Sequence, residues 1–130
     1  MAKLSAKQAS DLSNYYLGLA QAIGDFRYNK WRRLSKADNN KLGTLQWSVL
    51  NYGEDILAAS TKLVMNDVTG SLSKINAITV DIRSNIDKLK KVQKVINTAT
   101  AIVTLGGAII SLNPQAIVDG ISGVVETWNG

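Results

Sequence analysis

The segment VINTATAIVTLGGAIISLNPQAIV, from Val95 to Val118, contains no charged residue. All fifteen Lys and Arg of the chain precede it, and the only charged residues that follow it are Asp119 and Glu126. A basic body is therefore joined to a nearly neutral apolar tail. Because apolar surface of this extent is driven out of water, the tail predicts burial in a core, in a partner, in a homo-oligomer or in a membrane.

The pair Asn113-Pro114 divides this tail into two predicted helices. Asn is a favourable N-cap, and Pro is well tolerated at the first helical position, where its missing N–H has no partner to lose. Residues 95–130 are thus predicted to form an apolar helical hairpin with an Asn-Pro corner. The residues predicted to enter a membrane or a partner are Ile102, Val103, Leu105, Gly106, Gly107, Ile109 and Ile110.

The basic body, residues 1–94, has apolar residues at the spacing of amphipathic helices. The first stripe consists of Leu12, Tyr16, Leu19, Ile23 and Phe26. Steps of four and three residues keep such a stripe on one helix face. A second stripe runs from Leu42 to Leu63, and a third begins at Leu72 and meets no glycine or proline before Gly106. We predict one all-α domain over residues 1–130: an elongated antiparallel four-helix bundle with a long third helix.

The starts of the second and third helices are predicted from their polar residues. Asp38 or Asn39 would cap the second helix, and Ser71 would cap the third, since these residue types accept hydrogen bonds from free helical N–H groups.

Two segments of the body concentrate the positive charge. Arg27–Lys36, RYNKWRRLSK, interleaves five cations with two aromatic residues, and Asp87–Lys94, DKLKKVQK, carries four lysines. Such runs are often no more than solvated helix faces, but basic residues beside Trp also suit an anionic surface, with the ring at the level of lipid headgroups. The residues predicted to contact an anionic surface are Trp31, Arg32, Arg33, Lys88, Lys90, Lys91 and Lys94.

The composition disfavours catalysis. The chain has no His and no Cys, which removes the commonest general base, the commonest metal ligand and every thiolate. The ten carboxylates are scattered, and no Lys-Ser or Lys-Thr follows Gly106-Gly107 as a phosphate-binding loop requires. We therefore predict no catalytic residue, metal ligand or cofactor. The start, MAKLSAKQASDLSN, has no apolar signal region, which predicts a cytoplasmic protein or export by a leaderless route.

Three classes of function fit these patterns. The preferred one is a non-enzymatic helical protein that self-associates or docks a partner through its apolar hairpin, with membrane insertion as the specific mechanism. In its predicted architecture, and not in any sequence motif, the hairpin resembles the sheltered apolar hairpins of helical pore-forming toxins. The alternative is a soluble adaptor, inhibitor or immunity-type protein whose tail is core or dimer interface. A small basic nucleic-acid-binding protein is less favoured, because no nucleic-acid-binding motif is present.

The expected partners follow the same order. A second copy of the chain or another protein comes first, an anionic membrane is a further candidate, and nucleic acid is disfavoured. A permanent transmembrane helix is a poor interpretation, since polar residues such as Asn97, Thr100 and Thr104 interrupt the apolar stretch.

Overall fold

A computed structural model describes residues 2–130, which form five α-helices and a two-stranded antiparallel ribbon. The elements in chain order are β1 (Ala2–Lys3), α1 (Ala6–Asn29), α2 (Lys36–Ala58), β2 (Val64–Met65), α3 (Val68–Asn85), α4 (Val92–Ile110) and α5 (Pro114–Asn129). Single 3-10 turns follow α1 at Trp31–Arg33 and α3 at Ile86–Lys88. The all-α prediction is confirmed, but the described chain has five helices instead of the predicted four.

The five helices surround one hydrophobic core in the order α1, α2, α4, α5, α3 and back to α1. Contacts between helix ends give their directions: Lys94 at the start of α4 donates to the carbonyl of Gly130 beyond α5, and Trp128 of α5 donates to Asp81 near the end of α3. These contacts make α4 antiparallel to α5 and α5 parallel to α3.

The contacts of α1 give the other two directions. Its end meets the turn after α3, where Asn29 donates to Asp87, and its first half meets the end of α2, where Ser13 donates to the carbonyl of Gly53. Consequently α1, α3 and α5 run one way and α2 and α4 the other. Some neighbouring helices are parallel, which the predicted antiparallel arrangement did not include.

The apolar stripe predicted for α1 faces the core, and its members are all buried: Leu12, Tyr16, Leu19, Ile23 and Phe26. A capping box begins this helix. Gln8 N–H donates to Ser5 Oγ at 3.1 Å, and Ser5 N–H donates to Gln8 Oε1 at 2.8 Å. The helix therefore starts with two of its free N–H groups satisfied.

The predicted N-caps of α2 and α3 are wrong by a few residues. Ser35 caps α2, with Asp38 N–H donating to its Oγ at 3.0 Å, and Asp67 caps α3, accepting from Gly70 N–H at 3.0 Å. The predicted caps lie inside the helices. Asn39 uses its side chain for another purpose, since it accepts a hydrogen bond from Arg27 of α1 at 2.9 Å.

The predicted long third helix is broken between residues 86 and 91, so that α3 and α4 are separate helices. No glycine or proline marks the break, and Leu89 is in an extended conformation with ψ of 133°. Two physical reasons explain it. Lysines three and four residues apart on one helix repel each other. A continuous rod would also carry the apolar surface of α4 away from the body instead of covering it.

The turn between α4 and α5 follows the Asn-Pro prediction locally. Leu112 has a left-handed backbone, with φ of 60°, and ends α4. Asn113 accepts from Ala116 N–H at 3.1 Å, and Pro114 occupies the first turn of α5.

Tyr16 links α1 to α4 at the centre of the core. Its side chain is fully buried, and its hydroxyl donates to the backbone carbonyl of Ile102 at 2.9 Å. Burial raises the pKa of Tyr16 well above its ordinary value, and the nearby Tyr52 acts in the same direction. The folded protein therefore keeps the proton on Tyr16 at a pH where an exposed tyrosine loses it.

This raised pKa predicts a specific loss of stability in alkali. Above about pH 10 the unfolded state loses the Tyr16 proton while the folded state keeps it, so the free energy of unfolding falls as the pH rises toward the folded pKa. Tyr16→Phe removes this dependence and, near neutral pH, costs roughly 1 kcal/mol for the lost hydrogen bond. Urea unfolding between about pH 8 and about pH 11 should show the stability gap between wild type and variant narrowing. A gap that stays constant contradicts the assignment.

Candidate functional site

The two basic segments of the sequence lie at the same end of the bundle. Asn29, the last residue of α1, donates from Nδ2 to Asp87 Oδ2 at 3.4 Å, and Asp87 belongs to the turn between α3 and α4. We call the surface formed by residues 27–36 and 87–94 the basic end. It contains five plus four cations, which is nine of the fifteen Lys and Arg of the chain, and its one acidic residue is Asp87.

All the residues predicted to contact an anionic surface belong to this basic end. Trp31, Arg32, Arg33, Lys88, Lys90 and Lys91 are exposed, and Lys94 is half-buried. Lys94 also holds the last turn of α5, because its Nζ lies 5.6 Å from the centroid of the Trp128 ring and donates to Gly130. The structure thus brings the predicted residues together, while their binding role stays a prediction.

Two aromatic side chains project from the basic end. Tyr28 is 82% exposed and Trp31 is 57% exposed. The guanidinium of Arg27 lies 5.6 Å from the centroid of the Trp31 ring, within cation–π range. Arg27 is itself held by Asn39 and by Gln46, to which it donates at 2.9 and 3.2 Å. The Trp31 ring therefore rests against a fixed cation.

The role of Arg27 and the exposure of Tyr28 were not predicted from the sequence. Arg27 and Trp31 are four residues apart, which is the spacing of neighbours on a helix face. This spacing is the one feature of the sequence that indicates their contact. Residues 28–33 line an open hollow of about 690 Å³ at this place.

Within the described residues, no Asp or Glu side chain forms an ion pair with a cation of the basic end. The only ion pair in residues 2–130 joins Lys7 to Asp11 at 3.0 Å, near the start of α1. No Lys or Arg nitrogen of the basic end lies within 4.0 Å of an Asp or Glu carboxylate oxygen in that range. Clustered charges of one sign create a surface potential that attracts the opposite sign. The basic end is therefore suited to an anionic partner.

The residues predicted to enter a membrane or a partner are largely enclosed. Ile102, Leu105, Gly106 and Ile109 are buried, and Val103, Gly107 and Ile110 are half-buried. α4 is the one helix of residues 2–130 that is long and apolar enough to cross a membrane, a test that core helices of soluble proteins also pass. Its 19 residues would span about 28 Å, close to the hydrocarbon thickness of about 30 Å. In this fold its apolar face forms part of the core.

The solvent-facing side of α4 and α5 is lined by small residues. An open groove of about 610 Å³ runs between the two helices. Its lining includes Ala101, Gly107, Ala108, Gly120 and Gly123. A partner could reach this part of the C-terminal helix pair without opening the bundle.

Gly106 allows α4 to pack closely on α2. An ideal Cβ at Gly106 would lie 2.7 Å from Cγ of Tyr52, nearer than real Cβ contacts, whereas a Cβ at Gly123 of α5 would meet nothing within 4 Å. The two glycines therefore form a matched pair, one in a tight contact and one in open space.

We expect Gly106→Ala to destabilise the protein by about 1 kcal/mol, because overpacking costs roughly 1–3 kcal/mol and exceeds the gain in helix propensity. Gly123→Ala gains that propensity without a clash and should stabilise by about 0.5–1 kcal/mol. Urea unfolding of both variants measures the difference. Equal effects of the two substitutions would contradict the close contact between α4 and Tyr52.

Within residues 2–130, no three acidic side chains come close enough together to hold a metal ion. Compared with protein-family models, with curated proteins and with solved structures, the chain has no match.

Proposed function

We propose that this chain is a non-enzymatic binding protein that attaches to anionic lipid surfaces through its basic end. The observation that carries the proposal is the contact between Asn29 and Asp87, which unites two basic segments that are far apart in the sequence. Each Lys or Arg near an anionic bilayer contributes about 1 kcal/mol to attachment. Several of them on one surface are enough for reversible binding.

The exposed aromatic rings favour lipid over other anionic partners. Trp and Tyr concentrate at the interface between water and bilayer, where an apolar ring and a polar tip are both satisfied. Trp31 and Tyr28 lie among cations that would meet the headgroup phosphates. Stacking of nucleic-acid bases on these rings is the competing use of the same residues.

Attachment by the basic end would leave the bundle closed. The turn between α4 and α5, at residues 111–113, lies at the opposite end from the lysines of residues 88–94. Insertion of the C-terminal helix pair would require α4 to leave the core and to swing about the extended residues 89–91. We therefore propose peripheral attachment as the primary function, and insertion would require such an opening first.

The second candidate function is docking of a protein partner or of a second copy through the C-terminal helix pair. It is favoured by the small-residue groove between α4 and α5, since small residues permit close helix approach. In this case the apolar face of α4 serves only as core, as in an adaptor, an inhibitor or an immunity-type protein.

Charge removal at the basic end tests the lipid proposal. We expect Arg32→Gln/Arg33→Gln to weaken binding to vesicles of phosphatidylcholine with phosphatidylserine by about 30-fold, since two contributions of about 1 kcal/mol are lost. The control Lys3→Gln/Lys62→Gln removes the same charge at the opposite end and should bind like wild type. Flotation at low salt measures all three proteins, with pure phosphatidylcholine as the neutral surface.

Two results would contradict the proposal. One is a wild-type protein that does not float with anionic vesicles at low salt. The other is equal weakening by the control double variant, which would indicate attraction by net charge alone. A third outcome would identify nucleic acid as the partner of the basic end. In that outcome the wild type binds a single-stranded oligonucleotide but does not float with vesicles, and Arg32→Gln/Arg33→Gln loses the oligonucleotide binding.

Dye release separates attachment from insertion. Peripheral attachment predicts that wild type floats with anionic vesicles without releasing an entrapped dye, and that Gly107→Asp floats equally well. A Cβ at Gly107 would meet only the hydroxyl oxygen of Tyr52, at 3.4 Å, so this position has room for a Cβ. A thermal melt verifies that Gly107→Asp is folded. Dye release by wild type that Gly107→Asp abolishes would instead establish that α4 enters the lipid.

A further inference from the structure

A polar groove on the side of the bundle, between α1 and α3, has the features of a small-molecule site. Its volume is about 530 Å³, within the range of about 300–1,000 Å³ common for such sites. The residues that line it and matter here are Asn14, Tyr15, Asn76, Thr79, Val80 and Arg83. None of the residues that line it is acidic.

A glycine on the facing helix leaves room for the Arg83 side chain in this groove. An ideal Cβ at Gly18 of α1 would lie 2.8 Å from Nη1 and 3.0 Å from Cζ of Arg83. The guanidinium therefore lies against the backbone of α1, in a place that any side chain at position 18 would obstruct. The guanidinium is exposed at this place and can bind a carboxylate through two parallel hydrogen bonds.

Two acidic residues lie near Arg83 in sequence, and neither neutralises this cation. Asp81, two residues earlier, accepts a hydrogen bond from Trp128 Nε1 at 2.7 Å. Asp87 stands four residues after Arg83, the spacing of an ion pair on a helix, but α3 has ended by then and Asp87 accepts from Asn29 instead. Within residues 2–130, no carboxylate oxygen lies within 4.0 Å of the Arg83 guanidinium. Arg83 keeps its charge available to a ligand.

Thr79 supplies a second, independent observation. Its side chain lines the groove and is only 2% exposed, and its Oγ1 has no hydrogen-bond partner in the described residues. Leaving a buried hydroxyl unsatisfied costs roughly 1–3 kcal/mol, and few such groups persist in folded proteins. Less than 1 Å² of this oxygen is accessible, so a ligand oxygen in the groove would meet the hydroxyl only after Thr79 rotates about χ1.

From these contacts we infer that the groove between α1 and α3 binds a small organic carboxylate. The carboxylate binds the Arg83 guanidinium, and the amide of Asn76 is a further donor on the same helix. Rotation of Thr79 about χ1 would bring its hydroxyl to the same ligand. The apolar part of the ligand packs on the ring of Tyr15 and on Val80, which is 57% exposed. This site is separate from the basic end and does not depend on the proposed attachment to lipid.

The first experiment titrates labelled protein with N-acetyl-leucine and follows backbone amide shifts by NMR. We expect saturable shifts at Gly18, Thr79 and Arg83 with a millimolar dissociation constant. N-acetyl-leucinamide has the same apolar part without the charge and should bind at least about tenfold more weakly. Inorganic phosphate should bind more weakly than N-acetyl-leucine, because it lacks the apolar part.

Variants connect the binding to the residues. Arg83→Gln should weaken binding of N-acetyl-leucine by about tenfold or more, whereas Lys74→Gln, which removes the same charge elsewhere on α3, should leave it unchanged. Thr79→Val should raise the melting temperature, because it removes the unsatisfied hydroxyl, and should still weaken binding. If Thr79 had only a structural role, Thr79→Val would change the melting temperature and leave the binding of N-acetyl-leucine unchanged. Thermal melts of each variant verify that it is folded.

Three results would overturn the inference. They are the absence of saturable shifts in wild type, equal binding of the acid and its amide, and equal weakening by Arg83→Gln and Lys74→Gln. The last of these would mean that general electrostatic attraction, and not a built site, holds the ligand. None of these results bears on flotation with anionic vesicles, so the two proposals fail separately.

Discussion

The apolar surface of α4 is the constraint on which the rest of the structure depends. Val95, Ile96, Ala99, Ile102, Leu105 and Ile109 are all buried, and they are enclosed because α2 and α5 lie beside α4 while Tyr16 of α1 reaches its backbone. A helix so apolar needs neighbours on several sides. The chain provides them only by reversing direction immediately before α4, so the break after α3 is a consequence of core formation.

The same reversal creates the basic end. Lysines that would be spread along a continuous helix are instead gathered in a turn, beside the connection that carries Arg32 and Arg33. The one acidic residue of the turn, Asp87, is held by an amide and not by a cation. Burial of the tail and exposure of the charge are therefore two results of one change in chain direction. The sharp boundary in the sequence between charged body and apolar tail lies at this change of direction.

How much the sequence predicts depends on the range of the interaction. Helical periodicity is local, and the stripe of α1 is buried as its spacing predicts; the cap at Asn113 is local as well. The break between Ile86 and Lys91 carries no glycine or proline and depends on what α4 must pack against, so periodicity could not locate it. The two basic segments were identifiable from composition, but their meeting depends on that break. The approach of Arg83 to Gly18 has no sequence signal at all, because it depends on which helix lies beside α3.

Because the helices run lengthwise from the basic end, attachment by that end would hold the opposite end of the bundle at a fixed distance from the bilayer. α1 has 24 residues and is about 36 Å long at 1.5 Å per residue, and both of its ends are tied, one to the basic end and the other to the ribbon of β1 and β2. At physiological ionic strength the field of a charged bilayer decays over about 8 Å. The ribbon and the turn at residues 111–113 would then stand several screening lengths above the headgroups. A bundle attached in this way acts as a rigid spacer, and whatever it presents at its far end meets the bulk solution and not the surface.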